Sequence, residues 1–229
     1  MVAHSGALAF EGLNLDVAGG KPSTGSDVLR AILEMASTAL EQLRASTDRP
    51  TAVLGRIRGT GRGVSFGRLV DRLEAEHPLD LVSPFEGSDR VAGAVWALSE
   101  PYAAALAKLR WDARAIDLPM HVHEHSDRFI IVLEGRGYYH VAGQPLDGFD
   151  GSAVRTVPAR ERDVFVFTRG VVHTFSTDES PMVLLSCQLP HLPFDDPRQY
   201  TLPRVRWTAA NHKDRQPTVG CDPAWTVLT

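Results

Sequence analysis

The chain has 229 residues, 43% of them hydrophobic, and a formal net charge of −4. A packed core is therefore affordable and disorder is not the default, while the mild negative charge offers no general pull toward nucleic acid or an anionic membrane. Two cysteines, Cys187 and Cys221, are too few for a disulfide framework, and no stretch approaches the roughly 18–20 apolar residues that a membrane-spanning helix needs.

The N-terminus lacks a basic segment followed by an apolar run, so no leader peptide is read there and a cytoplasmic location is expected. Residues 19–26 are rich in Gly, Ser and Pro and read as a loop. Leu29, Leu33, Ala36, Leu40 and Leu43 then recur at spacings of four and three, one face of an amphipathic helix. Ser26 or Asp27 can cap its start and Pro50 closes the region. Phe66, Leu69, Val70 and Leu73 predict a second helix over 65–76. Val91, Val95 and Leu98 predict a third over 88–99, ended by Pro101. Residues 1–105 thus read as a mainly helical N-terminal region.

After Trp111 the segments become short, β-branched and punctuated. Apolar runs over 128–134 and 138–141 read as two strands joined by a hairpin turn at Gly135–Arg136–Gly137. A Gly/Asp-rich loop covers 143–152. Strands are expected over 164–167, 171–175 and 182–188, with a turn at 168–170. Many short strands separated by turns indicate a sandwich or barrel over 106–190. The Pro-rich remainder, 191–229, is expected to pack over it.

His121 and His123 lie two apart on an extended segment, so both rings face one way and can hold one ion. A third ligand has to come from another strand, and His173, just beyond the Arg169–Gly170 turn, is the best placed. Neutral imidazole suits Fe, Zn, Cu or Ni.

Two motifs carry a family resemblance. The segment from His121 through His123 and Arg128 to Gly135 resembles the first cupin motif: an HxH pair, a glutamate five residues after the second histidine, and a strand ending in glycine. The segment from Arg162-Asp163 through Gly170 to His173 resembles the second. The resemblance covers 106–189 and implies a mainly β fold, the cupin double-stranded β-helix or jelly-roll barrel, with an α-helical N-terminal region. It also implies a divalent metal on His121, His123 and His173, with Fe first and Zn, Mn or Ni as alternatives. A homodimer is expected on the same ground. The sequence departs from the pattern at Arg128, where the family has its glutamate ligand, and at Arg162, Thr168 and Thr177, where it has glycine, proline and asparagine.

A guanidinium cannot coordinate a cation, which leaves three accounts. The centre holds three histidines, and Arg128 binds the carboxylate or phosphate of a ligand. Or Glu124, Asp127 or His125 supplies a fourth ligand. Or the metal is lost and the pocket binds an anion. The substrate-contacting residues expected are Arg128, His125, Asp127, Tyr139 and Phe175; no catalytic residue is assigned. His140 reads as a satisfied core or rim histidine, and Cys187 as a buried apolar residue. Arg56, Arg58, Arg62, Arg68 and Arg72 faintly suggest a DNA-binding helix-turn-helix, but Asp71, Glu74 and Glu76 dilute the charge, and a solvated helix face is the favoured reading.

Two functions compete. The first is a metal-dependent enzyme, dioxygenase-like or isomerase/decarboxylase-like, acting on a small polar or acidic molecule. The second is a non-catalytic ligand-binding or regulatory protein whose helical part contacts a partner or DNA. A structural or storage barrel is a third, blander reading, and it leaves the histidine trio unexplained.

Overall fold

A computed structural model describes residues 25–56, 81–82, 90–97, 104–193, 196–212 and 225–228. One α-helix, α1 (Gly25–Ser46), precedes ten strands: β1 (Ala52–Arg56), β2 (Leu81–Val82), β3 (Val91–Ala97), β4 (Ala105–Trp111), β5 (Asp127–Ala142), β6 (Val154–Arg160), β7 (Asp163–Phe167), β8 (His173–Ser176), β9 (Met182–Leu189) and β10 (Trp225–Val227). The protein is mainly β, and its described strand pairs are antiparallel.

The first sheet runs β10-β1-β7-β5-β9-β4-β3-β2. The second is built by β6 and β8 on either side of the C-terminal half of β5. Strand β5 therefore belongs to both sheets. Its first half pairs with β7 and β9, and its second half with β6 and β8. The change of partners follows a bulge between Val132 and Glu134 and the left-handed backbone of Gly135, φ 75°. The hairpin expected at Gly135–Gly137 is thus a correction: the glycines bend one continuous strand instead of reversing it, as a bulge does at a sheet corner.

Both faces of the first half of β5 are covered, which explains its unbroken apolar run. Phe129, Ile131 and Leu133 face outward and pack with Ile32, Leu33, Ala36, Leu40 and Leu43 of α1. Ile130 and Val132 face inward with Tyr139, Phe165, Phe167 and Phe175. Each such side chain removed from water contributes about 1.5–3 kcal/mol. Cys187 sits in the outer layer, fully buried, and burial pushes its thiol pKa up. That leaves it apolar in behaviour, as expected.

The first helix stands where its periodicity put it. The helix expected over 88–99 does not: Val91–Ala97 is strand β3, paired residue for residue with β4. Its apolar residues at 91 and 95 satisfy a period of two as well as one near 3.6, and the sheet edge decides between them. Strands β1 and β3 also qualify the mainly helical reading of 1–105. The helix expected over 65–76 lies outside the described residues, as do Arg58, Arg62, Arg68, Arg72 and Cys221. Arg56 is engaged with Asp163 at 2.9 Å. Strand β6 went unread, because its apolar residues are split by Arg155 and Pro158.

Arg162, at the position where the second motif has glycine, keeps a glycine-like backbone with φ 73°. Thr168 exchanges hydrogen bonds with Thr51 through its hydroxyl and its amide, so both departures leave the scaffold in place. No described helix is long and apolar enough to cross a membrane.

Candidate metal centre

His121 reaches the centre through a β-bridge to His173, exchanging backbone hydrogen bonds of 3.0 and 2.9 Å. Next to it, Val122 pairs with Thr201, and the His123 carbonyl accepts from the Gly170 amide at 3.0 Å. These bonds fix the 121–123 segment as an added strand beside β8, which is why two histidines two residues apart and one far along the chain converge. Ring centroids lie 5.1 Å apart for His121–His123, 4.6 Å for His121–His173 and 5.3 Å for His123–His173. One ring nitrogen from each lies within 4.8 Å of the others. All three rings are buried, at 4, 8 and 2% exposure.

The other ring nitrogen of each histidine is already committed. Nδ1 of His121 faces the Pro119 carbonyl at 3.0 Å, Nδ1 of His173 the Val171 carbonyl at 2.9 Å, and Nδ1 of His123 the Gln199 carbonyl at 2.6 Å. A carbonyl can only accept, so each Nδ1 carries the proton and each Nε2 keeps a lone pair. That is the tautomer a metal-ligating histidine needs. The Arg128 Nη2 also lies 3.0 Å from His123 Nδ1. With that nitrogen already donating to Gln199, this is a close approach of two donors and not a hydrogen bond.

Burial holds the rings neutral. His121 is lowered to about 4, by desolvation first and by the charge of Arg128 as well. His123 and His173 are held well below the ordinary value, again chiefly by desolvation, with Arg128 adding to the effect. In the metal-free protein these lowered pKa values make the unfolded chain bind more protons than the folded one below pH 6.5. Stability is therefore fully present above that pH and is lost as pH falls. The expected loss from His121 alone is roughly 3 kcal/mol at pH 4. Urea midpoints of chelator-treated protein at pH 7 and pH 4 check this, and a His121→Gln variant should lose correspondingly less on acidification.

Arg128 is 5% exposed and points into the same cavity. Its Nη1 donates to Ser126 Oγ at 2.5 Å and its Nη2 to Gln199 Oε1 at 3.0 Å. Gln188 and Gln199 bond each other through both amides, at 2.9 and 3.2 Å, and brace that acceptor. Burial pulls the guanidinium down to about 9, so it stays charged at neutral pH. Its described ion-pair partners include no carboxylate.

The remaining expected residues separate. Phe175 lines the cavity. Tyr139 is fully buried beneath it, its ring 5.9 Å from that of His173. His125 is exposed and Glu124 accepts from the Thr201 hydroxyl at 2.6 Å. Asp127 faces the opposite side of β5, where it accepts from Arg44 and from the Arg169 amide at 2.7 Å. Neither His125 nor Asp127 lines the cavity. His140 is buried between Thr156 and Ser176, 2.9 and 2.7 Å away, as a satisfied histidine. Gln188, Gln199 and Tyr200 were missed. Gln199 and Tyr200 lie in an aperiodic segment that gives no pattern to read.

The Cupin_2 family model, described as a cupin domain, matches residues 109–187. The chain carries a cupin domain. Both histidine motifs and most of the barrel strands fall inside the match or at its edge. Solved structures with a similar fold include oxalate oxidase in complex with the substrate analogue glycolate, 16% identical over 38% of this chain and 41% of that one, TM-score 0.31. Another is the Lactobacillus farciminis oxalate decarboxylase formate complex, 16% identical over 49% and 31%, TM-score 0.37. A third is Rru_A2000 from Rhodospirillum rubrum, a cupin-2 domain, 15% identical over 65% and 82%, TM-score 0.41. This chain thus spans less than half the length of the first two. Among curated proteins there is no match. The cupin domain places the three histidines at the inner rim of the barrel, on a cavity of about 50 Å³.

Proposed function

We propose that this cupin binds one divalent metal on Nε2 of His121, His123 and His173 and acts as a metal-dependent enzyme on a small organic acid, whose carboxylate pairs with Arg128. The observation that supports this most is the convergence of three buried rings, one nitrogen of each within 4.8 Å of the others, while each Nδ1 faces a backbone carbonyl. When bound, the ion supplies Lewis-acid chemistry with coordination positions left open, and Fe is the first candidate. The protein's own residues do the rest. Arg128 orients the acid by charge-assisted hydrogen bonds. Gln188, Gln199 and Ser126 hold the guanidinium in place. The barrel wall excludes water and so strengthens these contacts. A homodimer and a cytoplasmic setting belong to the same reading.

Elemental analysis of the purified chain should find about one transition metal per chain. Arg128→Gln should keep the metal and weaken a carboxylate ligand by about 10–100-fold, the value of a charged hydrogen bond. A metal-free protein whose acid binding ignores that substitution would overturn the reading. One observation favours a second reading: the buried guanidinium has no carboxylate partner among the described residues, so an anion alone would complete the site. Tight acid binding without metal would make the protein a sensor and not an enzyme.

A further inference from the structure

Strand register orders the inward-facing residues into rows, with Val132, Leu184 and Met182 belonging to the packed core and not to the cavity wall. In the first, Ala105, Gln188 and Arg128 stand side by side across β4, β9 and β5. The second holds Ala107, Ser186 and Ile130, the third Leu109, Leu184 and Val132, and the fourth Trp111 with Met182. Rows two residues apart are about 6.7 Å apart, so the third lies about 13 Å below the first. The opposite sheet follows the same order. His173 meets Phe167 of the first row at 4.2 Å, while Phe175, two residues deeper, meets Phe165 of the second row at 5.4 Å and Trp111 at 5.8 Å.

Charge is therefore confined to the metal rim; below it the walls are mostly apolar, with the Ser186 hydroxyl and the Trp111 indole N–H as their polar groups. The space between them exists because Ala105, Ala107 and Ser186 are small. The Trp111 indole nitrogen is buried with no hydrogen-bond partner among the described residues, so this wall also carries one unpaired donor. A second charged group on the ligand would have to be desolvated against Leu109, Ile130, Trp111 and Phe175, with no charged side chain lining that depth to pair it.

We infer that the ligand is a monocarboxylate with an apolar body, which enters body-first and leaves its carboxylate at the rim between Arg128 and the metal. This rests on Arg128 as the anion partner, as proposed above. It excludes small dicarboxylates as the preferred class.

Calorimetric titration of the metal-bearing full chain with acetate, butyrate, hexanoate and succinate tests it. Affinity should rise about threefold to fourfold per added methylene from acetate to hexanoate, the yield of burying each CH₂. Butyrate should bind at least tenfold more tightly than succinate, which has the same number of carbons. Ala107→Phe, which fills the second row, should weaken hexanoate at least tenfold and acetate less than threefold. A flat series, or succinate matching butyrate, overturns the inference. If acetate binding still depends on Arg128 in that case, the anion site stands and only the apolar body is wrong. If no acid binds, or binding ignores Arg128→Gln, the functional reading and this inference fall together. The wild-type series decides the question even where the Ala107 variant does not fold.

Discussion

With His123 replaced by alanine, metal affinity is expected to fall by more than about 100-fold while the barrel remains folded. Removing a partner that merely orients a metal ligand typically costs about 10–100-fold, and here a ligand itself is lost from a set of three. The two remaining rings cannot close around an ion that Arg128 already repels. The fold should survive because the ring lies at the cavity edge, 8% exposed, and its one backbone contact is to Gln199. The 121–123 segment stays anchored by the His121–His173 and Val122–Thr201 bridges. Metal content after dialysis against a weak chelator, read beside the far-ultraviolet circular dichroism spectrum, checks both halves. Unchanged metal content in a folded variant would remove His123 from the ligand set.

Gly135→Ala is expected to destabilise the protein by about 3 kcal/mol or more. Two costs add. The φ of 75° is a left-handed conformation, at about 1–2 kcal/mol for a residue with a Cβ. The new Cβ would also stand 2.0 Å from the Pro181 carbonyl oxygen and 3.2 Å from Met182 Cα. Those are backbone atoms at the start of β9 that cannot swing aside, and moving them disturbs Met182, which is fully buried in the barrel core. Overpacking of this kind costs typically about 1–3 kcal/mol. Urea unfolding with an unchanged slope should show the shift. Gly143→Ala, whose Cβ would meet nothing within 4 Å, serves as the control and should stay within about 0.5 kcal/mol. A loss under 1 kcal/mol at position 135 would mean that the bend tolerates a side chain and the strand crossing is not fixed there.

The histidine trio was legible because its chemistry needs only a period of two and a turn. Arg128 was legible as a departure, since a guanidinium at a ligand position changes the site whatever surrounds it. The outward side of Asp127 follows from alternation along a strand: neighbours face opposite sides, so an inward Arg128 requires an outward Asp127. The bend at Gly135 was not legible, because Gly-Arg-Gly serves equally as a hairpin turn or as a corner within a strand, and only the pairing of β5 with four partners separates the two. Strand β3 was taken for a helix because its apolar residues fit both periods, and its pairing with β4 lies beyond local sequence. Gln199 acts from a tail without periodicity, so tertiary packing alone brings it to Arg128.

Asp127 and Arg128 are consecutive residues with opposite charges on opposite sides of β5. Asp127 holds Arg44 and the Arg169 amide on the side facing α1; Arg128 sits in the cavity. Slipping that strand by a single residue so that Arg128 takes the place of Asp127 would turn it to the outer side, against Arg44 and Arg169, and would leave Phe129 in its place in the cavity. Mispairing would thus be penalised twice, by like-charge contact outside and by loss of the Ser126–Gln199 cradle inside. The two side chains act as a polarity key that lets the strand seat in one alignment, so the residue proposed to pair with the ligand's carboxylate also guards the threading of the sheet.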